Sequence, residues 1–532
     1  MDSNHVPEEV VSRVFFAMMR YFSVDKNCLV LFLLASLWSI PLAGAEPVRR
    51  FSVEVDLGED LGQSFGSLLE VVNSEGDVVA GAGFSDVYNT RFRSDRYTLQ
   101  FFIRPGSGRD RYTVTRLPHP DLGTGVYLMD MDQQVFSWTS AVSSGLRLWD
   151  GAGKKWIEDP GNQGLSSGDG QMRLAGDVLR FRRGGVSYRG KTILEGPRLG
   201  YFYNFYYAHG HLFFYHTSRE GPGFTRIHAC RWKPGDEGPL DVGASVSVDA
   251  KYLGATPFAW GQYQGQVLTV SNYGGVYVFQ QGAWRVLLEG NDQVSYQVYS
   301  ILNFHDRLYL AQYPTGHLFE YDGQTLKHRD NWPPRLPGVS SSAREAQTMA
   351  IYGGDLMVGV WPWAELWRYQ HESGSWHSMG RMFSHPELTA EQTHPYEQDA
   401  DRLGLVTNHW GQRITGMVAL GQDLVLSTSS KGTDVWKEGY KFLTDGERRE
   451  YGAVLKLHRP GNVAGQIQWT GKPVRFDFTV TASTLTISQD GKQIAAGMHD
   501  LPLGRLRGEL KLRTGNGASG RLSGKVLSSE LE

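Results

Sequence analysis

The sequence is poor in cysteine. Its 532 residues include only Cys28 and Cys230, so at most one disulfide can form within the chain. A scaffold held together by several disulfides is therefore excluded, and stability has to come from the burial of apolar side chains.

Charge, helical periodicity and common catalytic motifs are also scarce. Charged residues make up 20% of the chain and the net charge is −3, without the basic stripe that indicates nucleic-acid binding. No long segment repeats its apolar residues at helical spacing. HExxH, P-loop and dinucleotide-binding motifs are missing. Two GxSxG matches, at Gly62 and Gly164, lack the following helix that a nucleophile elbow requires.

The N-terminal segment predicts export. Arg20 and Lys26 precede an apolar run from Cys28 to Leu42, and Ala43–Ala45 supplies the small residues of a signal-peptidase site. The run is shorter than the ~20 residues of a membrane span, although an uncleaved anchor is the alternative. We assign residues 1–45 to a signal peptide and expect a secreted, periplasmic or cell-surface protein of bacterial type.

The acidic stretch before Met18 is unusual for a signal peptide, so Met18 or Met19 is an alternative start. After cleavage the chain would keep only Cys230, and we expect no stable membrane span.

Glycine and aromatic residues, in contrast, are abundant. The 64 glycines and 12% aromatic residues are typical of many short strands joined by tight turns. An apolar strand, a tight turn and a second apolar strand recur between about Gly125 and Leu457. The turns lie at Met131-Asp132, Ala175-Gly176, His209-Gly210, Gln264-Gly265, His305-Asp306, Gly353-Gly354 and Gly421-Gln422.

These units predict an all-β fold with a β-propeller of about seven blades. Their spacing is irregular but centred on the roughly 40–50 residues of a four-stranded blade. A β-sandwich or barrel with chance spacing is the alternative.

One unit resembles the kelch-type propeller repeat, whose blades carry a double glycine, then a Tyr and then a Trp. Gly353-Gly354 is followed by Tyr369 and Trp376, and Trp149 and Trp156 show the same spacing of seven in another unit. The resemblance implies a propeller and names no substrate.

The flanks differ from the repeats. We predict an N-terminal β segment at 46–120, the propeller at 121–460 and a C-terminal β module at 461–532, because both flanks alternate as strands without the repeating turn. Either the flanks pair with each other in a small accessory module, or one of them adds a strand that closes the ring.

Propeller geometry predicts where ligands bind. The tight turns between the first and second strands lie on the lower face, whereas longer and more varied loops gather on the upper face. Aromatic rings stack on sugars, and the forked guanidinium of Arg binds carboxylate or sulfate. Predicted substrate-binding residues on the upper face are Arg182, Arg219, Tyr313, Arg344, Trp361 and Trp363, with Lys431 in the same group of loops.

Residues for acid–base chemistry are predicted on the same face: His216, Tyr273, His409 and Arg413. In architecture and residue types the chain resembles propeller polysaccharide lyases of the ulvan and oligogalacturonate type. That resemblance implies β-elimination, in which a base, an acid and a cation act on a uronate. Convergence of His216, Tyr273 and Arg413 would favour the lyase. Glu345 and Glu365 leave a glycoside hydrolase as a less supported alternative.

A structural zinc site is predicted at His211, His228 and Cys230. His228 and Cys230 share one strand face, and symmetric pairing of the hairpin around Gly221-Pro222 places His211 opposite Cys230. A register slip of one residue would bring His216 to that face instead. A buried free thiol beside strand histidines is the alternative, and no other cofactor is indicated.

The sequence therefore predicts an exported propeller that binds an acidic polysaccharide and, as a lyase, cleaves it. The alternative is a non-catalytic propeller that binds glycan or protein at the cell surface, since propellers serve both classes. A sugar or alcohol oxidoreductase lacks a cofactor signature. No nucleic-acid partner is expected.

Overall fold

A computed structural model describes residues 48–532 except 89–93, 105–110, 121–122, 140–145, 159–169, 183, 237, 294–296, 342, 392 and 406–407. The predicted signal peptide at 1–45 and the GxSxG match at Gly164 lie outside the described residues.

Antiparallel sheets of consecutive strands fill the middle of the chain. Sheet 1 comprises β7 (Tyr127–Met131), β8 (Gln134–Trp138), β9 (Arg147–Asp150) and β10 (Lys155–Glu158). Sheet 2 comprises β11 (Gly170–Leu174), β12 (Asp177–Arg182), β13 (Gly185–Tyr188) and β14 (Lys191–Glu195). Sheet 3 comprises β15 (Tyr201–Ala208), β16 (His211–Ser218), β17 (Phe224–Arg231) and β18 (Val246–Asp249). Sheet 4 comprises β19 (Pro257–Tyr263), β20 (Gln266–Ser271), β21 (Val276–Gln280) and β22 (Ala283–Leu288).

The remaining sheets of this region follow the same order. Sheet 5 comprises β23 (Gln297–Phe304), β24 (Arg307–Tyr313), β25 (Leu318–Tyr321) and β26 (Leu326–Arg329). Sheet 6 comprises β27 (Glu345–Tyr352), β28 (Asp355–Trp361), β29 (Glu365–Gln370) and β30 (Ser375–Arg381). Sheet 7 comprises β31 (Gln412–Leu420), β32 (Asp423–Ser430), β33 (Val454–His458) and the much earlier β6 (Thr113–Arg116).

These sheets form a β-propeller, which confirms the predicted fold class. The first strands of sheets 4, 5, 6, 7 and 1 pack side by side, as the inner strands of a propeller do. Close packing depends on small residues: a Cβ at Gly416 would lie 2.9 Å from Leu128 of the next sheet. Each predicted tight turn joins the first and second strands of a sheet.

Sheet 7 joins the two ends of the propeller. Its outer strand β6 pairs antiparallel with β33, with Leu455 opposite Arg116 and His458 opposite Thr113. The N-terminal flank therefore does add a strand that closes the ring, one of the two predicted arrangements. Closure removes the exposed sheet edge that an open ring would leave.

The flanks also build a β-sandwich, so both predicted arrangements occur together. Its first sheet has the order β37 (Lys492–Met498), β36 (Thr484–Gln489), β35 (Val474–Val480), β1 (Arg49–Asp56), β39 (Lys525–Leu531). Its second has the order β34 (Asn462–Gln466), β5 (Thr98–Ile103), β3 (Val78–Phe84), β2 (Ser67–Asn73), β38 (Leu510–Thr514). Phe101 of the second sheet packs against Phe51 and Phe478 of the first, with ring centroids 6.3 and 5.1 Å apart. This aromatic core holds the two sheets together.

Helix is limited to short pieces in the described residues. They are α1 (Glu397–Arg402), α2 (Asp445–Arg448) and 3₁₀ turns at Val242–Ala244, Glu438–Tyr440 and Gly504–Leu506. The first lies in a loop insertion, from Ser384 to Leu405, that separates β30 from β31. No helix in the described ranges is long and apolar enough to cross a membrane.

The sandwich segments bind the lower face of the propeller. In the turn of sheet 3, Gly210 N donates a hydrogen bond to Leu61 O at 3.0 Å. In the turn of sheet 5, His305 N donates a hydrogen bond to Ala518 O at 3.2 Å. The turn of sheet 7 is bound in the same way, since Ala464 N donates to Gly421 O at 2.6 Å. These contacts leave the upper face as the propeller face that the sandwich does not cover.

The central channel is blocked by a short strand from the N-terminal flank. β4 (Val87–Tyr88) pairs with the inner edge of β23, and the Tyr88 hydroxyl donates to Phe205 O on the inner strand of sheet 3. The Tyr88 ring also packs 5.1 Å from that of Tyr206. β4 therefore links the inner strands of sheets 5 and 3.

One buried carboxyl in the sandwich makes stability depend on pH. Burial, and to a lesser extent Glu372, raises the pKa of Glu70 from 4.5 to about 7, so the folded state favours the protonated acid. Its stabilising contribution is full below pH 4.5 and is lost as the pH rises through about 7. We expect Glu70→Gln to exceed the wild type in unfolding free energy at pH 8 by about 3 kcal/mol. Urea unfolding from pH 4.5 to 8 measures this.

Glu75→Gln is the matched control, because Glu75 is an exposed carboxylate on the same sandwich. A wild-type pH profile in Glu70→Gln would contradict the assignment.

Candidate functional site

The strongest polar cluster on the upper face lies where sheets 5, 6 and 7 meet. We call Tyr299, Tyr313, Glu345, Trp361, Arg413 and Lys431 the upper cluster. Each lies at or near the start of a first strand or the end of a second strand, because both points reach the upper face in this fold.

A buried carboxylate organises the upper cluster. Glu345 is 1% exposed, and its Oε2 accepts a hydrogen bond from Arg413 Nη2 at 2.7 Å. Lys431 Nζ lies 3.7 Å from the other carboxylate oxygen, and the Tyr299 hydroxyl donates to that oxygen at 3.3 Å. One anion therefore faces two cations, which leaves the cluster with a net positive charge.

Aromatic rings enclose the lysine. The Lys431 ammonium lies 4.5 Å from the ring centroid of Trp361 and 5.6 Å from that of Tyr313. Such contacts are attractive for a cation, and more so where water is partly excluded. The Lys431 side chain is 28% exposed, so it is the cation of this cluster that solvent reaches.

The pKa values of the two cations shift in opposite directions. Burial opposes the charge on Arg413, but the adjacent Glu345 carboxylate raises the pKa of its guanidinium. Burial lowers the pKa of Lys431, although Glu345 partly offsets this. The arginine is thus a fixed partner of Glu345, and the lysine is the more adaptable cation.

Three predicted substrate-binding residues lie below the surface: Arg344, Trp361 and Trp363. Arg344 is 2% exposed and donates from Nη2 to Glu365 at 3.1 Å. Trp363 is 1% exposed, with Arg381 5.0 Å from its ring centroid and the His394 ring 4.8 Å away. The loop insertion that contains His394 covers this tryptophan. Trp361 is likewise 1% exposed. None of the three can line the open face, which corrects the prediction for each of them.

The other predicted substrate-binding residues are spread around the ring. Arg182 is exposed at the end of β12 in sheet 2, and Arg219 is exposed in the loop after β16 in sheet 3. Only Tyr313 and Trp361 of the predicted set belong to the upper cluster.

The predicted acid–base residues lie on different sheets. His216 lies on sheet 3, where its Nε2 is 2.8 Å from Leu199 O. Tyr273 lies in the loop between β20 and β21 of sheet 4, where its ring packs on Tyr252. Arg413 lies on sheet 7. Among the described residues no hydrogen bond, ion pair or ring contact joins His216, Tyr273 and Arg413. Their assignment to one elimination site stays a prediction.

His409 lies beside the upper cluster but is turned away from solvent. It is 6% exposed, its ring packs 5.2 Å from Trp410, and a Cβ at Gly432 would lie 2.0 Å from the imidazole. Burial lowers its pKa. The enclosed, neutral imidazole fills the space between the residues just before β31 and the loop after Lys431.

The carboxylates considered for hydrolysis are both held in ion pairs. Glu345 is paired with Arg413, and Glu365 is 0% exposed, where it accepts hydrogen bonds from Arg344 and from Trp367 Nε1 at 2.8 Å. Neither is a free acid or base of the kind that glycoside hydrolysis requires.

The predicted zinc ligands in sheet 3 do not meet. His211 pairs opposite Arg231, and Cys230 pairs opposite Leu212. This register differs by one residue from symmetric pairing, so His216 and not His211 shares a face with Cys230. His228 Nδ1 is 2.7 Å from the Ser245 hydroxyl, and burial raises the pKa of the Cys230 thiol to about 12. This strand face therefore matches the alternative, a buried free thiol beside strand histidines.

Another group of potential metal ligands escaped the sequence reasoning. His317, His328 and Asp330 place one ligand atom each within 4.8 Å of the others. It is the sole such group of three among the described residues. The pairing of Leu318 with Arg329 in the hairpin around Asp322 could have indicated it.

Comparisons with known proteins yield distant structural likenesses. No protein-family model matches the sequence, and no curated protein matches it. YCF48 bound to a D1 peptide is 10% identical, over 66% of this chain and 98% of that chain, with a TM-score of 0.35. The WD40 propeller domain of Doa1 is 11% identical, over 66% and 97%, with a TM-score of 0.34. BamB from Moraxella catarrhalis is 11% identical, over 54% and 93%, with a TM-score of 0.28. Likeness this distant leaves function undecided, and the sheet topology alone identifies the propeller.

Proposed function

We propose that this chain is an exported, non-catalytic propeller of seven blades that binds a carboxylate-bearing glycan at the upper cluster. The observation that carries the proposal is the Lys431 ammonium, which is solvent-accessible, flanked by Trp361 and Tyr313, and backed by a carboxylate that already has Arg413 as its partner. A uronate carboxylate would pair with Lys431 while its sugar ring packs on the partly exposed ring of Tyr313. Trp361 is 1% exposed and supports Lys431 from below.

Binding is favoured over cleavage for a geometric reason. An elimination requires a base and an acid on one substrate. His216 and Tyr273 lie on other sheets than Arg413, and no hydrogen bond, ion pair or ring contact joins either of them to it in the part of the chain that the structure describes. Export rests on residues 1–45.

The test is retention on immobilised acidic glycans. The purified chain that begins at Glu46 is compared on polygalacturonate, ulvan, alginate and a glycosaminoglycan, with methyl-esterified pectin as the uncharged reference. We expect Lys431→Met to weaken binding by about tenfold to a hundredfold, since a hydrogen bond to a charged group contributes about 1.5–3 kcal/mol. High salt should weaken the wild type in the same direction.

Lys456→Met is the matched control, because Lys456 is a partly exposed lysine of sheet 7 that is paired with Asp423 instead. Equal loss in both variants, or equal retention on the esterified pectin, would overturn the proposal. The ultraviolet absorbance of unsaturated uronates is followed in parallel. A rise that disappears in His216→Ala or Arg413→Ala would establish a lyase in place of a binding module.

A further inference from the structure

The structure assigns a second site to the upper rim of sheet 5: we propose that His317, His328 and Asp330 bind a divalent transition metal, with zinc as the best fit. This site is independent of the upper cluster and of the glycan proposal.

The hairpin register places the three side chains together. His317 immediately precedes β25, and Leu318 pairs with Arg329, so His317 lies opposite Asp330. His328 lies opposite Phe319, two residues further along the same face. Residues at alternate positions of paired strands share a face. His317 therefore meets His328 and Asp330, although they are eleven and thirteen residues away in sequence.

The ligand distances match a tetrahedral ion. His317 Nδ1 lies 3.3 Å from His328 Nε2 and 3.5 Å from Asp330 Oδ1. An ion with tetrahedral bonds of about 2.0–2.1 Å separates its ligand atoms by about 3.3–3.4 Å. Two imidazoles and one carboxylate are also a ligand set that zinc accepts.

The surroundings hold the imidazoles in position. The His328 ring packs 5.0 Å from Phe319, and the His317 side chain is only 13% exposed. His328 and Asp330 are exposed, so the ion would keep an outward position for water or for an anionic group of a ligand. A site with three protein ligands and an open position has the arrangement found in catalytic zinc centres.

The nearby positive charges do not exclude a cation. The Arg344 guanidinium is close enough to His317 to repel a cation there. Its charge is balanced by Glu365, whose Oε2 lies 3.1 Å from Arg344 Nη2. Arg335 is exposed, where water and salt screen its charge.

Metal titration of the untagged, metal-free full chain tests the site. We expect one equivalent of Zn²⁺ to bind, and one equivalent of Co²⁺ to give the intense visible absorption of tetrahedral cobalt. His328→Ala and Asp330→Asn should weaken binding at least about tenfold, because even supporting residues around a metal change affinity by about 10–100-fold. Both residues are exposed, so neither substitution endangers the fold.

His458→Ala is the control, because His458 and Asp423 form a His–carboxylate pair at 2.8 Å without a second imidazole. Unchanged binding in His328→Ala, or no stoichiometric binding by the wild type, overturns the site. Loss in His328→Ala with retention in His458→Ala supports it. Glycan retention by the metal-free chain is read separately, so failure of one proposal leaves the other open to its own test.

Discussion

Asp355→Asn is expected to cause one of the two largest losses of stability in this protein, about 3–5 kcal/mol. The Asp355 carboxylate is 1% exposed and binds three guanidiniums: Arg104 and Arg368 at 2.8 Å each and Arg459 at 3.1 Å. Arg104 follows a sandwich strand, Arg368 lies on sheet 6, and Arg459 lies between the propeller and the sandwich. Removing the anion leaves three largely buried cations without their shared partner.

The effect should depend on pH in a defined direction. Burial alone would raise the pKa of Asp355, but Arg104, Arg459 and Arg368 hold it below 3.8. Its stabilising contribution is therefore present above pH 3.8 and is lost as the pH falls through the folded-state pKa. The urea midpoints of wild type and Asp355→Asn should differ most near neutrality and converge in acid.

Asp249→Asn is the control for this substitution. Asp249 also bonds an arginine, Arg226, at 2.6 Å, but the two side chains are 61% and 42% exposed. Exposed pairs contribute about 0–1 kcal/mol, so this variant should unfold close to the wild type. Similar losses of unfolding free energy in both variants would show that the ion pairs of Asp355 do not join the sandwich to the propeller.

Glu345→Gln should produce the second large loss, about 3 kcal/mol. Gln keeps the shape of the side chain but leaves the Arg413 guanidinium, 3% exposed, without an anion. Lys431 is partly exposed and can turn toward water, so the arginine accounts for most of the loss. The midpoint of urea unfolding at neutral pH measures it.

A double variant separates charge from packing. Glu345→Gln combined with Arg413→Gln removes both charges, and replacing a buried ion pair by neutral groups is often close to neutral in stability. We therefore expect the double variant to be more stable than Glu345→Gln alone, and the coupling energy follows from the four-variant cycle. Additive losses would mean that Glu345 and Arg413 do not act as a pair.

Local patterns predicted the repeating part of the fold well. Turns such as Gly353-Gly354, whose two residues both have positive φ, have a composition that favours a tight hairpin directly. The flanks were harder, because the same alternating pattern serves a sandwich strand and the closing strand β6. Which partner each strand finds depends on distant residues: β1 pairs with β35, more than 400 positions away.

The candidate sites show the same limit. Sequence reasoning placed Tyr313, Trp361, Arg413 and Lys431 on one face, because strand ends predict faces. It could not place Glu345 between Arg413 and Lys431, since that contact joins neighbouring sheets. In the sheet 3 hairpin, a register one residue away from symmetric moved His211 off the Cys230 face, as a slip of one always does.

The joining of both chain ends has a consequence for biosynthesis. β6 is made early, yet its partner β33 follows some 340 residues later, and β1 waits for β39 near the end of the chain. A nascent chain on the ribosome can complete sheets 1 to 6 in order, but it carries β1 and β6 as unpaired edges that invite aggregation. Ring closure and completion of the sandwich are therefore late, long-range steps. They belong to the finished polypeptide after its release.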